Sequence, residues 1–149
     1  MDEAKPVTIL MAEDDEDDRL LVKEAFAESN TLNDLRFVGD GLELIEYLAN
    51  AVNEPTEGQL PMPDLILLDL NMPRKDGREA LQEIKQNPDW RRIPVVVMTT
   101  SRAEEDILRS YDSGASGYIP KPITFEALVS SVAGLKNYWV QIVKLPPKG

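Results

Sequence analysis

Short apolar runs alternate with helical patterns along most of the chain. Five runs are bounded by turn residues and rich in aliphatic or β-branched side chains, and they predict five strands. These runs are Val7 to Ala12, Leu35 to Gly39, Asp64 to Asp69, Ile93 to Thr99 and Ser116 to Ile119. The first, third and fourth are apolar on both faces, which is typical of a parallel sheet covered by helices on each side.

Apolar residues at helical spacing occupy the segments that follow the predicted strands. The five stripes are Leu21, Val22, Ala25 and Phe26; Leu42, Ile45 and Leu48; Leu81 and Ile84; Ile107, Leu108 and Tyr111; and Phe125, Leu128, Val129, Val132, Leu135, Trp139 and Ile142. Residues 50–63 contain several Pro, Gly and Asn residues and predict a surface loop before the third strand.

Five strands alternating with five helices predict a three-layer α/β architecture with right-handed crossovers. The chain of 149 residues is long enough for one domain. We expect residues 1–149 to form it, with a core from about 7 to 143 and short flexible ends. Sites in such sheets lie outside the carboxyl ends of the strands.

The composition excludes several kinds of chemistry. The chain has no Cys and no His, so thiol nucleophiles, serine–histidine triads and the common zinc sites are excluded. A net charge of −11 argues against direct nucleic-acid binding, which requires positive charge. No apolar stretch approaches the roughly 18 residues of a membrane span, and the N-terminus lacks a signal-peptide pattern. We therefore expect a cytoplasmic protein without a membrane partner.

Polar residues follow the predicted strands where the strands end. They are Glu13 and Asp14 after the first, Asp69 and Asn71 after the third, Thr99 at the end of the fourth and Lys121 after the fifth. In a parallel sheet these positions converge on one edge. Carboxylates held close together repel one another and favour a hard cation such as Mg²⁺. A carboxylate can also be a nucleophile toward phosphorus, so the pattern indicates phosphoryl transfer onto an aspartate.

Four short motifs occur in order, each after a predicted strand: "AEDD", "LLDLNMPRKDG", "MTTS" and "KP". Together they resemble the receiver domain of two-component response regulators, over roughly Val7 to Val143. The resemblance implies a flavodoxin-like (βα)5 fold with strand order 2-1-3-4-5. It also implies a phosphoprotein that works in phosphorelay signal transduction. Such a protein is no enzyme beyond catalysing its own phosphotransfer and slow dephosphorylation.

The resemblance assigns roles to the residues at the strand ends. Asp69 would accept a phosphoryl group from a phosphohistidine of a sensor histidine kinase. Glu13 and Asp14 would hold Mg²⁺ together with Asp69 and the backbone carbonyl of Asn71. The cation would neutralise this cluster of carboxylates as an anionic phosphodonor approaches.

The remaining motif residues would respond to the phosphoryl group. Lys121 would contact the phosphoryl oxygens, and Thr99 would move toward these oxygens and form a hydrogen bond to them. Tyr118 matches the aromatic position whose rotamer reports activation, so Thr99 and Tyr118 are the expected switch residues. The resemblance also implies a cis bond between Lys121 and Pro122.

The resemblance places the output on one face of the domain. This face comprises the fourth helix, the fifth strand and the fifth helix (α4-β5-α5 of the family), and we predict a homodimer through it. The ending "NYWVQIVKLP" is similar to that of single-domain regulators paired with phytochrome-type sensor kinases. A kinase of that type is therefore an expected partner.

Two other functions remain open at this point. A haloacid-dehalogenase type of phosphatase also uses an aspartate after a strand, but it needs a second acid two residues on, where this chain has Asn71. A calcium- or magnesium-binding module is suggested by "DDEDD". That stretch is followed by Arg19 where an EF-hand loop needs Gly.

Overall fold

The computed structural model describes residues 7–28, 33–70, 72, 75–99, 114–120 and 126–134. The strands in these residues are β1 (Val7–Ala12), β2 (Asn33–Val38), β3 (Ala51–Val52), β4 (Leu60–Pro61), β5 (Leu65–Leu68), β6 (Val95–Thr99) and β7 (Gly117–Pro120). Five of them form one parallel sheet in the order β2-β1-β5-β6-β7. The predicted order 2-1-3-4-5 is confirmed, because β5, β6 and β7 are the third, fourth and fifth predicted strands.

The helices lie on both faces of this sheet. They are α1 (Glu16–Glu28), α2 (Gly41–Asn50), α3 (Gly77–Gln86) and a helical segment of residues 126–134. Helices α2 and α3 pack against one face, and α1 and residues 126–134 pack against the other. Alternate residues of β1 serve the two cores: Leu10 faces α2 and α3, whereas Met11 faces α1. The three-layer α/β architecture is confirmed.

Two of the predicted helical stripes differ from the faces that are buried. In α2 the buried residues are Gly41, Leu44, Tyr47 and Leu48, whereas Leu42 is 40% exposed. Positions two residues apart on a helix are about 200° apart around its axis, so Leu42 faces away from Leu44. In α1, Leu21 is 38% exposed. Leu21 and Leu42 thus belong to the predicted apolar stripes but are exposed, outside the faces that α1 and α2 bury.

Residues 53–59 are exposed and form the predicted surface loop, but the segment 50–63 also contains two short strands that were not predicted. This segment contains a short parallel ladder in which Ala51 pairs with Leu60 and Val52 pairs with Pro61. The Tyr47 hydroxyl of α2 donates a hydrogen bond of 2.8 Å to the carbonyl of Pro61. Strands of two residues are too short to show an alternating pattern, and Pro61 reads as a strand breaker.

Several predicted features lie outside the described residues. They are the fourth helix around Ile107, Leu108 and Tyr111, together with Phe125 and the end of the fifth helix from Leu135 onward. Most of the surface predicted for homodimer formation belongs to this group. In the ranges that are described, no helix is long and apolar enough to cross a membrane.

Candidate functional site

Glu13 follows β1 directly, and its backbone is held on two sides. Its N–H donates to the carbonyl of Val38 at 2.9 Å, and its own carbonyl accepts from Nε of Arg19 at 2.7 Å. The side chain is 1% exposed, and Oε2 accepts a hydrogen bond of 3.1 Å from the N–H of Asp15. A carboxylate is costly to bury without such polar contacts. These contacts therefore keep the Glu13 side chain at the carboxyl end of the sheet.

Asp69 follows β5, the strand beside β1. Its N–H donates to the carbonyl of Ala12 at 3.2 Å, which extends the pairing of β1 with β5 by one step. Its side chain is 4% exposed. The charge that ends the apolar run is therefore buried next to the residues that follow β1.

The carboxylates of Glu13, Asp14 and Asp69 form one cluster. One oxygen atom from each lies within 4.8 Å of the others, among the residues that the structure describes. Glu13 and Asp69 are buried, whereas Asp14 is exposed, so the cluster opens to solvent on the side of Asp14. Three negative charges at this separation repel one another, and a bound cation relieves the repulsion.

The donor set fits a hard divalent cation. All three side chains offer carboxylate oxygens, which are the ligands that Mg²⁺ and Mn²⁺ prefer. Mg²⁺ keeps several water ligands, and the exposed position of Asp14 leaves room for them. The residues present are therefore able to hold such an ion at the carboxyl ends of β1 and β5.

The other predicted site residues are described only in part. Thr99 is the last residue of β6 and pairs with Pro120 of β7, and Tyr118 pairs with Val97. The side chains of Thr99 and Tyr118 lie outside the described part of the structure. Asn71, Lys121 and the Lys121–Pro122 bond also lie outside it. The described residues thus bring together the three predicted carboxylates. The roles of Thr99, Tyr118, Asn71 and Lys121 stay predictions.

A second buried aspartate near the site, besides Asp69, was not predicted. Asp40 is 4% exposed and lies just before α2, where its Oδ1 accepts from the N–H of Glu43 at 2.9 Å. Oε1 of Glu43 in turn accepts from the N–H of Gly39 at 2.7 Å. This is an N-terminal helix cap. The signal for it is the spacing Asp-Gly-x-Glu, which the sequence repeats at Asp76 before α3.

Comparisons with known proteins agree with this geometry. The family model for the response regulator receiver domain matches residues 9–133. The response regulator Rcp1 of Synechocystis sp. is 43% identical over 141 residues, which are 95% of this chain and 94% of that protein.

Two solved structures are similar over almost the whole chain. The crystal structure of the phosphorylated cyanobacterial phytochrome response regulator RcpA has a TM-score of 0.82 at 42% identity, over 95% of this chain and 99% of that one. The Mn²⁺-bound form of Rcp1 has a TM-score of 0.81 at 42% identity, over 95% of this chain and 100% of that one. With a family model that covers most of its length and relatives above 40% identity, the chain belongs to the response regulator receiver domain family.

Proposed function

We propose that Asp69 accepts a phosphoryl group from a phosphohistidine of a sensor histidine kinase, in a Mg²⁺-dependent step. The observation that carries this proposal is the cluster of Glu13, Asp14 and Asp69, whose oxygens lie within 4.8 Å of one another. Asp69 directly follows the buried strand β5, which places it in the cluster. Membership of the receiver family supports the same role.

The carboxylates of Glu13, Asp14 and Asp69 would hold the Mg²⁺, with the backbone carbonyl of Asn71 as a further ligand. Mn²⁺ in the structure of Rcp1 supports a divalent cation, because both ions prefer oxygen ligands. When bound, the cation neutralises negative charge that would otherwise repel an anionic phosphodonor. Glu13 and Asp69 are buried, and the donor would approach from the exposed side of the cluster at Asp14.

The reaction transfers one phosphoryl group between two nucleophiles. A carboxylate oxygen of Asp69 forms a bond to phosphorus as the bond from phosphorus to the histidine nitrogen breaks. The products are an acyl phosphate on Asp69 and a free histidine on the kinase. Lys121 would contact the phosphoryl oxygens, and slow hydrolysis would return Asp69 to a carboxylate. Beyond these two steps we propose no enzymatic activity.

Phosphorylation would add a charge of about −1.5 to −2 beside the cluster. Thr99 and Tyr118 would respond as switch residues and shift an existing equilibrium between two arrangements of the domain. The output face would be the predicted fourth helix, β7 and the predicted fifth helix, through which the chain would form a homodimer.

The partner and the location complete the proposal. The phytochrome response regulator among the similar structures supports a phytochrome-type sensor histidine kinase as the donor. Residues 1–149 would work as one cytoplasmic receiver domain that binds neither nucleic acid nor membrane. The match over 95% of this chain and 94% of Rcp1 supports a single domain.

The receiver function is favoured over both alternatives. The match to the receiver model spans residues 9–133, and Asn71 stands where a phosphatase of the haloacid-dehalogenase type needs an acid. A calcium-binding loop takes its ligands from one short stretch. Here the described carboxylates follow two different strands, with Asp69 far in sequence from Glu13 and Asp14.

Phosphorylation with a small donor tests the proposal directly. The protein is incubated with acetyl phosphate and Mg²⁺, the acyl phosphate is reduced with borohydride, and the labelled peptide is mapped. We expect label on Asp69, and none in Asp69→Asn or in EDTA. Asp64→Asn is the matched control, because Asp64 precedes β5 at the opposite end of the strand. Label on Asp14 or on another carboxylate would contradict the assignment.

A further inference from the structure

We infer that Gly77, the first residue of α3, is a positioning residue for Asp69. A Cβ atom at Gly77 would lie 2.8 Å from Cα of Leu70 and 3.0 Å from the carbonyl carbon of Asp69, and closer still to the carbonyl oxygen of Asp69. Real Cβ atoms essentially never approach another heavy atom to under 3.0 Å. The start of α3 therefore contacts the backbone of Asp69 so closely that only glycine fits.

The start of α3 is itself fixed. Oδ1 of Asp76 accepts from the N–H of Arg78 at 2.9 Å and from the N–H of Glu79 at 3.1 Å. The N–H of Gly77 donates to the carbonyl of Leu70 at 3.0 Å. The first amide groups of α3 are thus bound either to the cap or to the segment that follows β5. A side chain at Gly77 would have to displace backbone on one side or the other.

The backbone of Asp69 has little freedom to move away. Its N–H is bound to the carbonyl of Ala12 in β1 at 3.2 Å. Behind Gly77, α3 packs into the core through Ala80, Leu81 and Ile84, which are buried. Asp69 is therefore held between β1 on one side and the first residue of α3 on the other.

A second glycine holds the far end of the segment that follows Asp69. Gly41, the first residue of α2, donates its N–H to the carbonyl of Lys75 at 2.9 Å. A Cβ atom at Gly41 would lie 3.0 Å from the carbonyl carbon of Lys75 and closer to its oxygen. Like Gly77, it follows a capping aspartate, Asp40. Two helix starts thus bind the backbone at Leu70 and at Lys75.

A side chain at Gly77 should therefore move the Asp69 carboxylate relative to Glu13 and Asp14. The contact must widen by several tenths of an ångström before a Cβ atom is accommodated. Misplacing a reacting group by 1 Å can cost about 100-fold in rate. The consequence for phosphorylation rests on the proposed function of Asp69, whereas the consequence for metal binding needs only the cluster.

The experiment compares glycine-to-alanine variants in the full chain. Mn²⁺ affinity is measured by electron paramagnetic resonance, labelling by acetyl phosphate at saturating Mg²⁺, and stability by urea unfolding. For Gly77→Ala we expect the Kd for Mn²⁺ to rise about tenfold and labelling to slow by about 10- to 100-fold. For Gly41→Ala, which displaces Lys75 instead of Asp69, we expect a smaller rise in Kd, of less than about tenfold.

Two controls separate positioning from lost stability. Gly134→Ala changes a helical glycine around which no heavy atom lies within 4 Å of the added Cβ, and it should leave Mn²⁺ binding unchanged. Ile84→Val removes a buried methyl group from the same helix, at a distance from the cluster. It should reduce stability and leave the Kd for Mn²⁺ at the wild-type value.

A folded Gly77→Ala that binds Mn²⁺ as tightly as Ile84→Val does would overturn the inference. If Gly77→Ala does not fold, Gly41→Ala decides: wild-type affinity for Mn²⁺ refutes the inference and a weakened affinity supports it. The Mn²⁺ measurement does not depend on phosphorylation. A wild-type protein that binds Mn²⁺ but takes no label on Asp69 would therefore contradict the proposed function alone.

Discussion

Replacing Arg19 should loosen the end of β1 that carries Glu13. Nε of Arg19 donates to the carbonyl of Glu13 at 2.7 Å, and its guanidinium carbon lies 5.4 Å from the ring centroid of Phe37 in β2. One side chain of α1 thus connects the ends of two neighbouring strands beside the carboxylate cluster. Arg19→Lys keeps the positive charge. It loses the planar guanidinium, which donates to the carbonyl of Glu13 and lies over the ring of Phe37 at the same time. Arg19→Met keeps only an unbranched apolar stem.

The two contacts set the expected magnitudes. A hydrogen bond from a charged donor contributes about 1.5–3 kcal/mol, and the half-buried position of Arg19 favours the lower end. The attraction of the cation to an aromatic ring adds about 0.5–1 kcal/mol. We therefore expect Arg19→Lys to lower the free energy of unfolding by about 1.5 kcal/mol. Arg19→Met should lower it by about 2–2.5 kcal/mol, because it also loses the attraction to the ring.

Urea unfolding followed by circular dichroism measures both variants. Arg78→Lys is the control, because the pair of Arg78 with Asp76 is long at 3.7 Å and partly exposed, and Lys keeps the charge, so we expect a loss of about 0–1 kcal/mol. For a chain of this size, the loss in Arg19→Lys corresponds to a melting temperature lower by about 3–6 °C. If Arg19→Lys loses no more stability than Arg78→Lys, the hydrogen bond to Glu13 does not hold the end of β1.

Two further predictions concern the core and the amino end of the sheet. Phe26→Ala removes a ring of α1 that is 1% exposed, so we expect the free energy of unfolding in urea to fall by about 3–5 kcal/mol. A fall below about 1 kcal/mol would show that α1 does not pack as described. Lys85 donates to the carbonyls of Arg91 at 3.0 Å and Ile93 at 2.7 Å, and burial lowers its pKa below the ordinary 10.5. The unfolded chain therefore binds more protons at this lysine in the pH range just below 10.5, so its contribution to the free energy of unfolding increases as pH rises through that range. Urea unfolding of wild type and Lys85→Met at several pH values should show their difference changing in favour of wild type as pH rises, and a constant difference would refute the pKa shift.

The sequence by itself determined the sheet and the place of the candidate site. The apolar run before Asp69 predicted a buried strand whose charge lies at its carboxyl end, and β5 confirms the strand. The same reasoning placed Glu13 and Asp14 after β1. These predictions succeeded because hydrophobic periodicity is a local property, and because parallel strands place their carboxyl ends at one edge.

Only the tertiary structure decided which helix faces are buried and where backbones meet. Leu42, Ile45 and Leu48 have a regular helical spacing, yet Leu44 and Tyr47 are the residues that α2 buries with Leu48. The short ladder between Ala51 and Leu60 likewise has no periodic signal in the sequence. Each of these features depends on the surface presented by residues distant in the chain.

The need for glycine at Gly77 was hidden in the sequence for the same reason. An Asp-Gly pair before a helix indicates a cap, and Asp76 provides one. Nothing local shows that the carbonyl of Asp69 would lie against a Cβ atom at Gly77. Local patterns determine where a strand or helix forms, whereas the space left for a side chain is determined by the elements packed around it.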